Sequence, residues 1–186
     1  MHELWAEIET NYNVPGRYYH NLGHLNCMLN DSSAIRKNLQ KPDAFLFAIF
    51  YHDIVYDPLN KNNEVLSALF AAKRMEACST GEEMIAACSN FILATRTHEL
   101  STDNDINSFT DTDLCILGKD QQSYRAYCSN IRKEYAVYDD DSYMAGRKKV
   151  LQHFLAMGRI FKTEYFYNRF EKQAIANLNK ELEDIL

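Results

Sequence analysis

At 186 residues, the chain suits one compact domain with room for a buried core and a cleft. Its 46% hydrophobic and 25% charged residues exclude a disordered or fibrous protein, and the net charge of -6 disfavours a nucleic-acid partner while leaving small phosphorylated ones open. The opening Met1-His2-Glu3-Leu4-Trp5 has neither the basic nor the apolar region of a secretory signal, and no apolar run is long enough to cross a bilayer. A cytoplasmic protein without membrane contact is therefore expected; self-association is left open.

Only three prolines and six glycines punctuate the chain, and clean alternation of apolar and polar residues is hard to find, so helix should dominate. A first helix is expected from Glu3 to about Asn11, ended by the turn Asn13-Val14-Pro15-Gly16. A second begins near Arg17 and carries His20, His24, Leu25, Met28 and Leu29. The apolar segment Asp43 to Tyr51, with Asp43 as N-cap, reads as a buried central helix that delivers His52-Asp53 from the core. A polar loop covers Asp57 to Asn63, helix follows from Glu64 to Ala77, and Thr80-Gly81-Glu82-Glu83 looks like a capping box opening the next helix to about Ala94. The polar stretch Thr95 to Thr110 reads as a long functional loop. Helices then run over roughly Gln121–Tyr138, Tyr143–Met157 and Glu164–Ile185, with Asp139-Asp140-Asp141 as an acidic turn between two of them. The fold class expected is all-α, a single-domain helical bundle over residues 1–186. The odd, scattered cysteines Cys27, Cys78, Cys88, Cys115 and Cys128 form no C-x-x-C pair and are read as reduced, mostly buried thiols.

Three features carry chemistry. His20 and His24 stand at i and i+4, where a helix would aim both imidazoles into one cleft. The adjacent His52-Asp53 ends a strongly apolar helix, where a carboxylate beside an imidazole costs several kcal/mol unless compensated, and a divalent cation is an economical compensator. Because neighbours on a helix diverge by about 100°, both reach one ion only where the backbone turns at the helix end. In Asp111-Thr112-Asp113-Leu114, either acid is a helix N-cap or a ligand.

A His, an adjacent His-Asp and a late Asp in a helical chain resemble the HD-domain superfamily of metal-dependent phosphohydrolases. Tyr19-His20-Asn21-Leu22-Gly23-His24 is similar to the Tyr-His-Asn-x-x-His motif of the cyclic-nucleotide phosphodiesterases in that superfamily, as is Leu93-Ala94-Thr95 followed by His98. Closer still, Arg17-Tyr18-Tyr19-His20, Phe50-Tyr51-His52-Asp53-Ile54-Val55-Tyr56-Asp57, Asn63-Glu64, Asp113-Leu114 with Leu117-Gly118, Ile131-Arg132-Lys133-Glu134-Tyr135 and Gly146-Arg147 resemble a bacterial family of predicted HD phosphohydrolases over nearly the whole chain. The chain is far shorter than the phosphodiesterases and shows no counterpart of their glutamine-bearing purine pocket, so cyclic-nucleotide specificity is not implied.

The resemblance implies an HD-like bundle in which His24, His52, Asp53 and Asp113 ligate a divalent ion. A mixed nitrogen and oxygen set suits Mn, Fe, Co, Ni, Zn or Mg without selecting among them. It implies hydrolysis of a phosphate ester or anhydride, of a nucleotide or related small metabolite, by metal-activated water, with Asp53 at the centre and His20 as general acid to the leaving oxygen. Glu64 either orients the water or simply favours the macrodipole in a first helical turn. His98 is assigned to a second metal or to the substrate pocket, and Arg17, Arg132 and Arg147 to phosphate recognition. Tyr18, Tyr19, Tyr51 and Tyr56 flank the expected ligands, to stack on a base or to pack the core. Two alternatives remain: a non-catalytic HD-like module that binds metal or nucleotide, and another metal hydrolase or oxygenase built on the same ligands.

Overall fold

A computed structural model describes residues 2–185, the His2 side chain aside. Among them no strand forms, and the nine α-helices are α1 (His2–Tyr12), α2 (Leu22–Asp31), α3 (Pro42–Tyr51), α4 (Asn63–Ala77), α5 (Glu82–Ala94), α6 (Asn104–Asp113), α7 (Gln121–Glu134), α8 (Asp140–Ala156) and α9 (Glu164–Asp184). Short 3-10 turns cover Arg36–Asn38 and Leu114–Gly118. None of these helices is long and apolar enough to cross a membrane.

The fold is all-α and shares one core. α3 is its axle: Pro42 starts it with a φ suited to a first helical turn, and Ala44, Phe45, Ala48 and Ile49 are fully buried against α2, α4 and α5. Phe109 of α6 meets Phe45 edge-on at 5.1 Å and Phe91 of α5 in a stack at 5.6 Å, and this aromatic layer floors the helix ends that carry the functional residues. α9 closes the bundle against the turn Leu114–Gly118, where the Asn177 amide donates to Leu117 O and Lys119 O. Gly118 is needed there because a Cβ would come within 2.5 Å of the Phe170 Cβ.

Several local expectations change. α2 starts at Leu22, because Asn21 adopts an extended backbone and accepts the Gly23 N–H, so His20 precedes the helix. Asp43 lies inside the first turn of α3, and the N–H groups of Gln40 and Lys41 are taken by the buried Asp105. No capping box forms at α5: Gly81 precedes it without a side-chain bond. The expected loop Thr95 to Thr110 is irregular only to Asp103, whose carboxylate caps α6 by accepting the Asp105 N–H. α6 is polar in sequence yet buried, since Thr110 and Thr112 return their hydroxyls to carbonyls one turn back. Asp139 caps α8 through the Ser142 N–H, so the acidic run opens a helix. Of the cysteines, Cys88 and Cys115 are buried, whereas Cys27 and Cys78 are exposed.

Candidate metal centre

The ends of three helices converge on one point. Asn21 capping places His24 in the first turn of α2, the apolar run of α3 stops at Tyr51 and hands on His52 and Asp53, and Asp113 is the last residue of α6. His52 still has helical dihedrals, after which the backbone turns, with Ile54 N–H reaching Tyr51 O. That turn brings Asp53 Oδ2 to 3.0 Å from its neighbour's Nε2. His24 Nε2 lies 3.1 Å from His52 Nε2 and 3.1 Å from Asp113 Oδ1, and His52 Nε2 lies 3.8 Å from that oxygen.

These spacings fit a shared cation. Divalent ions hold nitrogen and oxygen donors at about 2.1 Å, which puts donors at right angles about 3.0 Å apart. Hydrogen bonding alone serves the group poorly: His24 Nε2 faces both another imidazole nitrogen and a carboxylate, and carries at most one proton. In neutral His52 the tautomer is set from behind, since Nδ1 donates to Ile49 O at 2.9 Å and leaves the Nε2 lone pair facing inward. His24, His52 and Asp53 offer ligand atoms all within 4.8 Å of one another. Burial opposes the charged form of every member. It lowers the pKa of His24, whereas Asp53 outweighs it at His52 and raises that imidazole to about 9. Burial would also raise both acids, but His52 and His20 hold Asp53 below the usual carboxylate range, and bonds from His24 and His98 hold Asp113 well below it. Without an ion, the His52 imidazolium balances these carboxylates; a divalent cation would displace its Nε2 proton and take over that role.

Two further imidazoles border it. His98 Nε2 bonds Asp113 Oδ2 at 2.9 Å from the turn after α5, where its N–H reaches Ala94 O and its φ is +53°, a left-handed conformation that favours glycine. His20 Nε2 stands 3.9 Å from Asp53 Oδ2, and its Nδ1 lies 2.6 Å from Glu134 Oε2. Glu134 Oε1 also accepts the N–H groups of Tyr19 and His20, at 2.6 and 2.9 Å, and Oε2 accepts the Tyr56 hydroxyl. Burial disfavours the His20 imidazolium, but Asp53 and the bonded Glu134 outweigh it and raise its pKa.

The other sequence candidates scatter. Arg17 donates to His20 O, Asp53 O and Ile54 O, and its guanidinium lies over the rings of Tyr12 and Tyr56. It staples the segment carrying His20 to the one carrying Asp53. Arg132 binds Asp140 and the carbonyls of Tyr135 and Tyr138, while Arg147 is buried on Glu181 and the Tyr127 hydroxyl. Arg147 does line a cavity of about 760 Å³ shared with His20, His98, Tyr127, Tyr135 and Tyr143. Glu64 sits half-buried in the first turn of α4, without a hydrogen bond to the cluster among the described residues. Tyr51 bonds Glu7 away from the site, and Tyr18 is exposed. Glu134, bonded to the His20 imidazole, is the member of this network that sequence reasoning left without a role. Its signal is an acid in the last turn of α7, where the macrodipole disfavours negative charge.

No family model matches the chain, and neither does any curated protein or solved structure at a significant level.

Proposed function

We propose that the protein is a metal-dependent phosphohydrolase of the HD type, acting on a phosphate ester or anhydride of a nucleotide or similar small metabolite. The observation that carries this reading is the cluster of His24, His52 and Asp53, whose ligand atoms lie within 4.8 Å of one another, with Asp113 joining it 3.1 Å from His24. A bound divalent ion (Mn, Fe, Co, Ni, Zn or Mg) would supply Lewis acidity at phosphorus and a lowered pKa for a water. The remaining work falls to the chain. As an imidazolium, His20 donates its Nε2 proton to the departing oxygen, and Glu134 accepts from Nδ1–H, which favours the charged form and aims the ring. His98 orients Asp113, and Arg17 keeps the two segments of the site in register. The tyrosine-lined cavity next to His20 and His98 receives the rest of the substrate and suits a ring that stacks on aromatic faces.

The decisive experiment is a screen of nucleotides and phosphate esters with Mn, Co, Ni and Mg added separately, run beside Asp53→Ala. Metal-stimulated turnover that Asp53→Ala abolishes is expected. Metal or nucleotide binding without turnover of any compound would establish the non-catalytic module instead. His20→Ala should keep its metal content while turnover falls by roughly 10²- to 10⁴-fold, the usual worth of general acid catalysis. Loss of metal in that variant would count against the acid role.

A further inference from the structure

A second cavity, of about 710 Å³, lies where the turn after α5 meets the connection between α8 and α9, and His98, His153, Arg159 and Lys162 line it. The cationic side chains there are poorly satisfied. The Lys162 side chain is 3% exposed, and its Nζ is buried without a hydrogen-bond partner among the described residues. Its nearest acid, Asp111, is 3.7 Å away and already occupied, since its oxygens accept Lys162 N–H, Thr163 N–H and the Thr163 hydroxyl, each at 2.8 Å. Arg159 spends Nη1 on Glu164 and lies over the Tyr167 ring, while its Nε and Nη2 are buried and unpartnered. Glu99 is the one acid lining this cavity, and it is exposed at the surface. Buried N–H groups without acceptors cost free energy that a partner recovers, and both side chains line this one cavity, where an anion would supply the acceptors that the distant Asp111 and the singly bonded Glu164 do not.

We infer that this cavity is an oxyanion subsite, which takes a phosphate-like group between Lys162 and Arg159. A tetrahedral oxyanion has oxygens enough to accept from a guanidinium fork and an ammonium together, and lysine's rotatable stem lets its ammonium turn toward the group. Position makes the subsite relevant to chemistry: His98 lines both this cavity and the tyrosine-lined one, and it bonds Asp113. The group bound is either a second phosphate of the substrate or a free inorganic anion. Anion binding here stands apart from the hydrolysis proposed above and is tested without metal.

The test is calorimetric titration of the full chain with inorganic phosphate and with pyrophosphate, in the presence of a chelator and at two salt concentrations. Salt-sensitive binding is expected, with affinity lowered at least about 10-fold in Arg159→Gln and in Lys162→Met, the scale of one charge-assisted hydrogen bond. Lys180→Gln, which removes an exposed lysine paired with Asp184 and lining neither cavity, should bind as the wild type does. Lys162→Met also strips Asp111 of its nearest cation, so the partly exposed Arg159 provides the variant that leaves the core intact. No binding of either anion, or binding that Arg159→Gln leaves unchanged, overturns the subsite. With a turned-over substrate in hand, KM raised in Arg159→Gln at constant kcat assigns the subsite to a substrate phosphate. Added phosphate that alters wild-type turnover and leaves Arg159→Gln unaffected assigns it to a free anion. The chelated titration fails or succeeds whether or not hydrolysis is ever seen.

Discussion

Asp111 and Asp113 stand two residues apart at the end of α6, about 200° apart around the helix, and serve opposite ends. The Asp111 carboxylate is fully buried and accepts three donors from the residues just before α9, Lys162 N–H, Thr163 N–H and the Thr163 hydroxyl. Asp113 is 16% exposed and meets imidazoles, His24 through Oδ1 and His98 through Oδ2. Asp111 has company: Asp105 clamps the consecutive N–H groups of Gln40 and Lys41, and Glu171 those of Ile160 and Phe161. Each of these acids holds an irregular segment just before a helix, satisfying backbone donors that burial would otherwise strand. The fold thus uses buried carboxylates in two ways. One kind ends on amides and sets the chain's path; the other ends on imidazoles and keeps its charge available.

The largest effect should come from exchanging the two. Asp111→Ala strands three donors and Lys162, and should cost about 3–5 kcal/mol of stability, read from denaturant unfolding. Asp113→Asn should stay within about 1 kcal/mol of wild type while metal affinity falls by more than the roughly 10- to 100-fold that loss of an outer-sphere partner costs. A chain that tolerates Asp111→Ala and unfolds on Asp113→Asn would break the distinction.

That distinction lies beyond local sequence pattern. The helices whose apolar periodicity is strong were legible to within a few residues: α4, expected from Glu64, begins at Asn63, and α7 and α9 begin where expected, at Gln121 and Glu164. α6 was not, because a run of Asp, Asn, Ser and Thr reads as loop, and only the buried hydroxyl-to-carbonyl bonds explain how it folds as helix. The residue types at the centre could be picked out, since an imidazole next to an acid at the end of an apolar helix is costly without a partner. Their orientation could not. Glu134 reaches His20 across 114 residues of chain, and no local spacing announces that bond. The arginines show the same limit: Arg17 spends its donors on three carbonyls, which composition does not distinguish from a phosphate site.

Glu134 sharpens the comparison because it belongs to both kinds, clamping the Tyr19 and His20 N–H groups with one oxygen and the His20 imidazole with the other. Glu134→Gln keeps an oxygen for the amides and removes the charge behind the imidazole. Turnover should fall by about 10- to 100-fold with metal content unchanged, as for other partners that orient a functional imidazole. The sign of the pH effect follows from the raised His20 pKa: without Glu134 the imidazolium is less favoured, so the alkaline limb of the rate profile moves to lower pH. An unchanged limb would reduce Glu134 to a backbone clamp like Asp105.

The smallest effect is expected at His98, whose left-handed backbone opposes a favourable side-chain bond. A non-glycine residue in that conformation costs about 1–2 kcal/mol, comparable to the roughly 1.5–3 kcal/mol of a hydrogen bond to a charged group. His98→Gly removes both, so the melting midpoint should move little, by less than the equivalent of about 1 kcal/mol. Metal affinity should nevertheless drop, because Asp113 then has one imidazole fewer to hold its orientation. Strain kept at a residue that bonds Asp113 motivates the role proposed for His98 at the metal, and the change in metal affinity tests it. A loss of several kcal/mol in His98→Gly would instead place His98 and Asp113 among the groups that hold the fold together, beside Asp111.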